Sequence, residues 1–279
     1  MLDPLQFAIS LGLNVALYTT GALLTREAVV RWKKGWGSVL LLGCAYGILE
    51  EGLALSTMFN PNAPPVIGNY GLYGHVGGIS WVWALFIDGF HAVWSIALPI
   101  LLLHLALPAL RGKSLLGPRE VIVTMCILAI DVLTGMVLVG SSEHFWAGPT
   151  LWSVSLVVIA ILIGAARGAP ADLFTPWRKF PTIGPRGAAL LGLCVFPSYL
   201  LLLVLWRGAG GPLVGPLLLL GILGIMDALF IGLVRRWVGR AAHDPVLVAL
   251  AAGLIAPLCV YGFIAQVSTG LGPPGRYRR

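Results

Sequence analysis

An all-α polytopic membrane bundle of about eight transmembrane helices is the fold this sequence predicts, and three observations predict it. The 279 residues are 58% hydrophobic and only 10% charged, against roughly 25% charged in an average soluble domain. The apolar runs are about twenty residues long, as a membrane-crossing α-helix requires, and do not alternate over short segments like β-barrel strands. The basic residues cluster in every second connection between those runs, which is the asymmetry that orients multi-span proteins. A net charge of +7 on such a chain is a topology signal. It does not indicate a nucleic-acid partner, and none is expected.

The spans read as 5–25, 39–59, 79–107, 121–140, 151–168, 187–206, 213–234 and 246–268, forming a single integral membrane domain over 1–279. The first is expected to be a true span and not a signal peptide. Asp3 and Pro4 supply no basic leader, and the positive charges follow the apolar run. The connections after spans one, three, five and seven hold Arg26, Arg31, Lys33 and Lys34; Arg111, Lys113 and Arg119; Arg167, Arg178, Lys179 and Arg186; and Arg235, Arg236 and Arg240. The opposite face has Arg207 and the tail residues Arg276, Arg278 and Arg279. This distribution predicts a multi-pass protein of the cell membrane with both termini on the non-cytoplasmic side.

Span two, VLLLGCAYGILEEGLALSTMF, places Glu50 and Glu51 near its middle. An ionised acid at that depth costs about 2.5–3.5 kcal/mol on insertion scales. Such a pair persists only where the protein uses or neutralises it. Helical spacing puts Glu50 on a face with Gly43, Tyr46, Ala54 and Thr57, so Glu50 is expected to point into a polar cluster with Glu51 at its edge. The connection Asn60 to Gly78 carries Pro61, Pro64, Pro65 and several glycines, which forbid a regular helix. Tyr70, Tyr73 and His75 could pack it down as an outer cap. His75 with Glu143 and His144 of the next outer loop has no metal-ligand spacing, and no metal is expected there.

Span three is the longest, and is expected to be either tilted or bent at Pro99. Asp88, His91 and Ser95 recur at i, i+3 and i+7, on one face. Span four holds Asp131 beside Thr134 and Gly135. Span seven holds Asp227 on a face with Gly221 and Gly224, and small residues there let helices approach closely. Spans five, six and eight carry no ionisable group at depth. Pro197, Pro216 and Pro257 lie inside spans or near their ends. The four cysteines, Cys44, Cys126, Cys194 and Cys259, fall in four different spans without metal spacing and read as small buried hydrophobes. No internal repeat is visible.

Depth follows from helical rise. Glu50 lies about 17 Å from the cytoplasmic end of its span and Asp131 about 16 Å from that of its own; Asp88 and His91 lie about 14 and 18 Å from the outer end. In a core about 30 Å thick these residues share one layer near the midplane. The candidate site is therefore Glu50, Glu51, Asp88, His91 and Asp131. His91 is the natural counter-charge, and imidazole exchanges a proton near neutral pH, as a general base or a relay must.

The adjacent glutamates resemble the opening of the motif in glutamic intramembrane proteases of the CAAX- and bacteriocin-processing type. That resemblance implies a glutamate activating water with histidines on later helices. The chain departs from the pattern by lacking an arginine shortly after Glu50-Glu51-Gly52-Leu53-Ala54-Leu55, and Phe86-Ile87-Asp88-Gly89-Phe90-His91 does not give its Phe–His spacing. A broader stretch, residues 43–108, carries Glu50-Glu51-Gly52-Leu53, Phe59-Asn60-Pro61-Asn62, Trp81-Val82-Trp83-Ala84 and His91-Ala92-Val93-Trp94-Ser95-Ile96-Ala97-Leu98-Pro99-Ile100. It resembles a group of uncharacterised prokaryotic multi-span membrane proteins. This implies a bacterial or archaeal integral membrane protein and supplies no reaction.

Three function classes fit. The first is an intramembrane hydrolase in which Glu50 or Glu51 activates water beside His91 and Asp88. The second is a proton-coupled transporter using the same residues, with Asp227, as a relay. The third is a non-catalytic scaffold whose polar groups join helices. Membrane lipids are the expected surroundings, and a small molecule, lipid or peptide is the expected substrate class. No heme, nucleotide or iron–sulfur signature is present, so no cofactor is expected.

Overall fold

The computed structural model describes residues 4–63, 72–173, 183–206, 214–238 and 244–270. Pro64, Pro65, Tyr70, Arg178, Lys179, Arg207, Arg240 and the tail arginines, on which part of the sequence reading rests, lie outside them. Eight helices are long and apolar enough to cross a membrane. They are α1 (Pro4–Arg31), α2 (Trp36–Ala54), α3 (Trp81–Ala106), α4 (Pro118–Ser142), α5 (Pro149–Gly168), α6 (Pro185–Trp206), α7 (Val214–Leu233) and α8 (Asp244–Gly270).

Each span of the sequence reading has its helix, with shifted ends. The first runs on to Arg31, so Arg26 and Glu27 lie inside α1 and not in a connection. Both are 2% exposed. The helix can continue because both side chains find partners in the 110–115 segment. Arg26 Nη2 donates to the carbonyls of Leu110 (2.5 Å) and Lys113 (3.0 Å). Glu27 accepts from Arg31 Nε (2.7 Å), from Ser114 Oγ and from the Leu115 amide (3.0 Å). The second span stops at Ala54, short of Phe59. Ser56 takes a left-handed backbone (φ 55°) and breaks the helix.

Three helices change their winding among the described residues; a short π-helical stretch, Val234–Val238, continues α7, and two longer ones bear on the site. Ile48–Ala54 of α2 and His91–Ala97 of α3 are π-helical, with the Leu55 amide bonded to Glu50 O and the Leu98 amide to Val93 O. Such turns are rare and concentrate at functional sites. In α3 a cause is visible: Pro99 has no N–H to give to the carbonyl four residues back, and its ring crowds that carbonyl. The expected bend at Pro99 is thus taken up by the wider turn just before it.

The π segment of α3 packs on α2, where small residues permit close approach. A Cβ added at Gly43 would sit 2.7 Å from Ala92 Cα, and one at Gly47 would sit 2.5 Å from Asp88 Oδ1. A second close pair is α6 with α8, whose backbones meet at Gly192 and Gly253. Two apolar cores result. One joins α1, α2, α4 and α5 with one side of α3 around Leu42, Leu53, Ile96 and Ile159; the other joins α6, α7 and α8 with the rest of α3 around Phe86, Leu203, Leu223 and Leu250. Apolar side chains such as Ile122, Ile130, Ile161, Leu217 and Phe263 face outwards, as a lipid-facing surface requires.

The connection between α2 and α3 folds back on the bundle in its described part. His75–Val76 pairs with Ile79–Ser80 in a short antiparallel hairpin, turned by Gly77 and Gly78 at φ 64° and 80°. The Ser80 amide bonds to Met58 O (2.8 Å), and Trp206 Nε1 donates to Tyr73 Oη (2.7 Å). His75 Nδ1 lies 3.0 Å from Ser80 Oγ.

Candidate functional site

The site lies where His91, at the start of the α3 π segment, meets Glu50 and Glu51 of the α2 π segment. His91, 2% exposed, lies between the two glutamates. Its Nε2 is 2.9 Å from Glu51 Oε1, and its Nδ1 is 3.3 Å from Glu50 Oε2 and 2.9 Å from Ser95 Oγ. Helical spacing alone puts Glu51 at the edge of the cluster, and the structure corrects this: Glu51 makes the shorter contact. A straight α-helix separates adjacent residues by about 100°, whereas the i→i+5 winding at Ile48–Ala54 turns less per residue. Both carboxylates therefore reach one imidazole.

Each glutamate is held from its far side. Tyr18 Oη of α1 donates to Glu50 Oε1 at 2.8 Å. Thr57 Oγ1 donates to Glu51 Oε2, and Trp83 Nε1 donates in turn to Thr57 Oγ1 at 3.0 Å. The Tyr18 ring stacks on His91 with centroids 6.3 Å apart, and Tyr46 and Phe90 meet the imidazole edge-on. This aromatic wall fixes the ring orientation. Glu50 Oε2 alone among the four glutamate oxygens has no hydrogen bond among the described residues.

With an imidazolium and two carboxylates the group carries one net negative charge; one more proton makes it neutral. Such a unit can accept a proton from water or pass one along, which is acid–base chemistry. One donor atom from each of Glu50, Glu51 and His91 lies within 4.8 Å of the others, a spacing that can also hold a cation.

The remaining expected residues lie around this unit. Asp88 is half-buried one turn before His91, against Gly47 and near Cys44. Asp131 is buried on α4, whose Gly135 packs on Ala54 at the end of the α2 π segment. No hydrogen bond joins Asp131 to the Glu–His unit among the described residues, and its Oδ2 has none at all there. Asp227 of α7 accepts from Tyr199 Oη and sits beside Gly89, with Oδ1 3.3 Å from the place of an added Cβ. A lateral cavity of about 330 Å³ opens next to the α2 π segment, bounded by Ile48, Met58, Phe59, Leu85, Asp88 and Ser155. Its walls are mostly apolar.

Sequence reasoning missed Tyr18 and Trp83 as site residues. A signal for Tyr18 existed. α1 and α2 form a hairpin through residues 32–35. Tyr18 lies 13 positions before Arg31 and Glu50 lies 14 after Trp36, so both are about 20 Å from the turn at 1.5 Å per residue.

Neither a curated protein nor a solved structure matches the chain. Residues 1–271 match the model of a family described as an uncharacterized membrane protein family. That match covers the eight spans and the whole Glu–His unit, and the chain belongs to this membrane protein family.

Proposed function

We propose that the protein is an intramembrane hydrolase in which Glu50 acts as general base and His91, held by Glu51, balances the developing charge. The observation that carries the reading is the asymmetry between the two glutamates. Glu51 has both oxygens engaged, by His91 and Thr57. Glu50 is anchored through one oxygen by Tyr18, while the other has no hydrogen bond among the described residues. A carboxylate oxygen that makes no hydrogen bond among the described residues and faces an imidazole nitrogen 3.3 Å away keeps a lone pair for a proton from water. The adjoining apolar cavity has the size and lining of a small-ligand pocket, and it suits an acyl chain or an extended apolar peptide. The protein would act as one integral membrane domain of the cell membrane, with its basic end in the cytoplasm.

The test uses native membrane vesicles carrying the wild type or Glu50→Gln, incubated in ¹⁸O-labelled water. Hydrolysis places the label in a product carboxylate found by mass spectrometry in wild-type vesicles only. Equal labelling in both removes the hydrolase reading.

A proton-coupled carrier is the second reading, favoured by one observation. Asp88 and Asp227 approach one another at Gly89, which extends the polar groups from the Glu–His unit towards α6 and α7. A carrier moves protons in proteoliposomes loaded with a pH-sensitive dye, and it needs Asp227 as well as Glu50.

A further inference from the structure

A second buried polar centre lies at the basic end of the bundle, away from the Glu–His unit. There a cavity of about 330 Å³ opens between the end of α1, the start of α2 and α3. We propose that it binds an anionic phosphate group, as carried by a phospholipid headgroup or by a soluble phosphate.

Arg26 is the main reason. Its side chain is 2% exposed and lines the cavity. Nη2 is spent on the carbonyls of Leu110 and Lys113. Nε and Nη1 have no hydrogen bond among the described residues. The closest acid, Glu27, stands 4.0 Å from Nη1, and its oxygens are already engaged by Arg31, Ser114 and the Leu115 amide. A buried guanidinium with unused donors is costly unless an anion meets it.

The rest of the wall fits an anion. Lys33 and Lys34 line it, and no acid does among the described residues. Lys34 Nζ gives one bond to Ala169 O at 2.8 Å, leaving further N–H donors of its three. Lys33 is held with φ 54°, a conformation uncommon outside glycine and asparagine. His104 Nε2 is buried there without a hydrogen bond among the described residues. α2 starts at the cavity with Gly35 as its N-cap and no side-chain cap, so its first amides are open to an anion. Gly35 is needed, because a Cβ would meet Ala171 O at 2.3 Å. Val39 and Ile100 supply an apolar side, which suits the glycerol and acyl part of a lipid.

Protein purified in a phosphate-free detergent is melted alone, then with phosphatidylglycerol, phosphatidylcholine or inorganic phosphate. The comparison variant is Lys33→Asn with Lys34→Gln. Asparagine tolerates the left-handed backbone, and neither lysine clamps the 108–113 turn as Arg26 does. A melting midpoint raised by phosphatidylglycerol more than by phosphatidylcholine, and not raised in the variant, supports a lipid phosphate. An equal rise with inorganic phosphate, also lost in the variant, supports the phosphate site and assigns it to a soluble ligand. The proposal is overturned if no probe moves the wild type, if both lipids act alike while inorganic phosphate does nothing, or if the variant shifts as far as the wild type.

Discussion

His91 Nε2 stands 2.9 Å from Glu51 Oε1, across two helices that both wind as π turns at that level. The contact joins residues 40 positions apart, and on its other nitrogen the same ring faces Glu50. Removing the ring leaves two buried carboxylates opposed. His91→Leu is expected to destabilise the protein by about 3–5 kcal/mol, the usual cost of breaking a buried charge pair. Ser95→Ala, which removes one neutral partner of the ring, should cost about 1 kcal/mol. Thermal unfolding in detergent compares them, and equal losses would show that His91 is an ordinary core residue.

The sequence made the helices legible because apolar length is a direct demand of the bilayer. It placed Glu50, Glu51 and His91 in one layer because rise per residue is fixed. What it hid was winding. A 3.6-residue turn sends Glu51 away from His91, and nothing local in Ile48–Ala54 announces an i→i+5 turn. Pro99 gave a hint for α3, read as a bend. Arg26, expected in a connection, lies in a helix for a related reason: charge ends a span on average, yet partners from the 108–115 segment let the helix continue.

Packing at the helix crossing gives a sharper expectation. Gly43→Ala would press a methyl against the Ala92 backbone at 2.7 Å, and overpacking of this kind costs about 1–3 kcal/mol. Gly164→Ala meets open space and should be neutral or stabilising by up to about 1 kcal/mol through helix propensity. Melting midpoints of the two variants should therefore move in opposite directions or differ clearly.

Tyr18→Phe removes the donor to Glu50 Oε1 and keeps the ring stacked on His91. A buried carboxylate oxygen left unpaired costs about 1–3 kcal/mol. If Glu50 is the general base, turnover in the ¹⁸O assay falls while substrate affinity is held. Unchanged turnover would mean that Tyr18 only packs.

Asp227→Asn separates the two functional readings. Asp227 is bonded to Tyr199 of α6 and sits beside Gly89 of α3, with no hydrogen bond to Glu50 among the described residues. A hydrolase should keep its labelling activity in this variant and lose it in Glu50→Gln. A carrier should lose dye-reported proton uptake in both.

The central claim is that Glu51 and His91 act as one unit, and a double-mutant cycle of Glu51→Gln and His91→Gln tests it most directly. Unfolding free energies are measured for the wild type, both single variants and the double variant. Residues in one hydrogen-bonded network couple by about 0.5–3 kcal/mol, and a coupling in that range is the predicted result. Additivity within about 0.3–0.5 kcal/mol would contradict it.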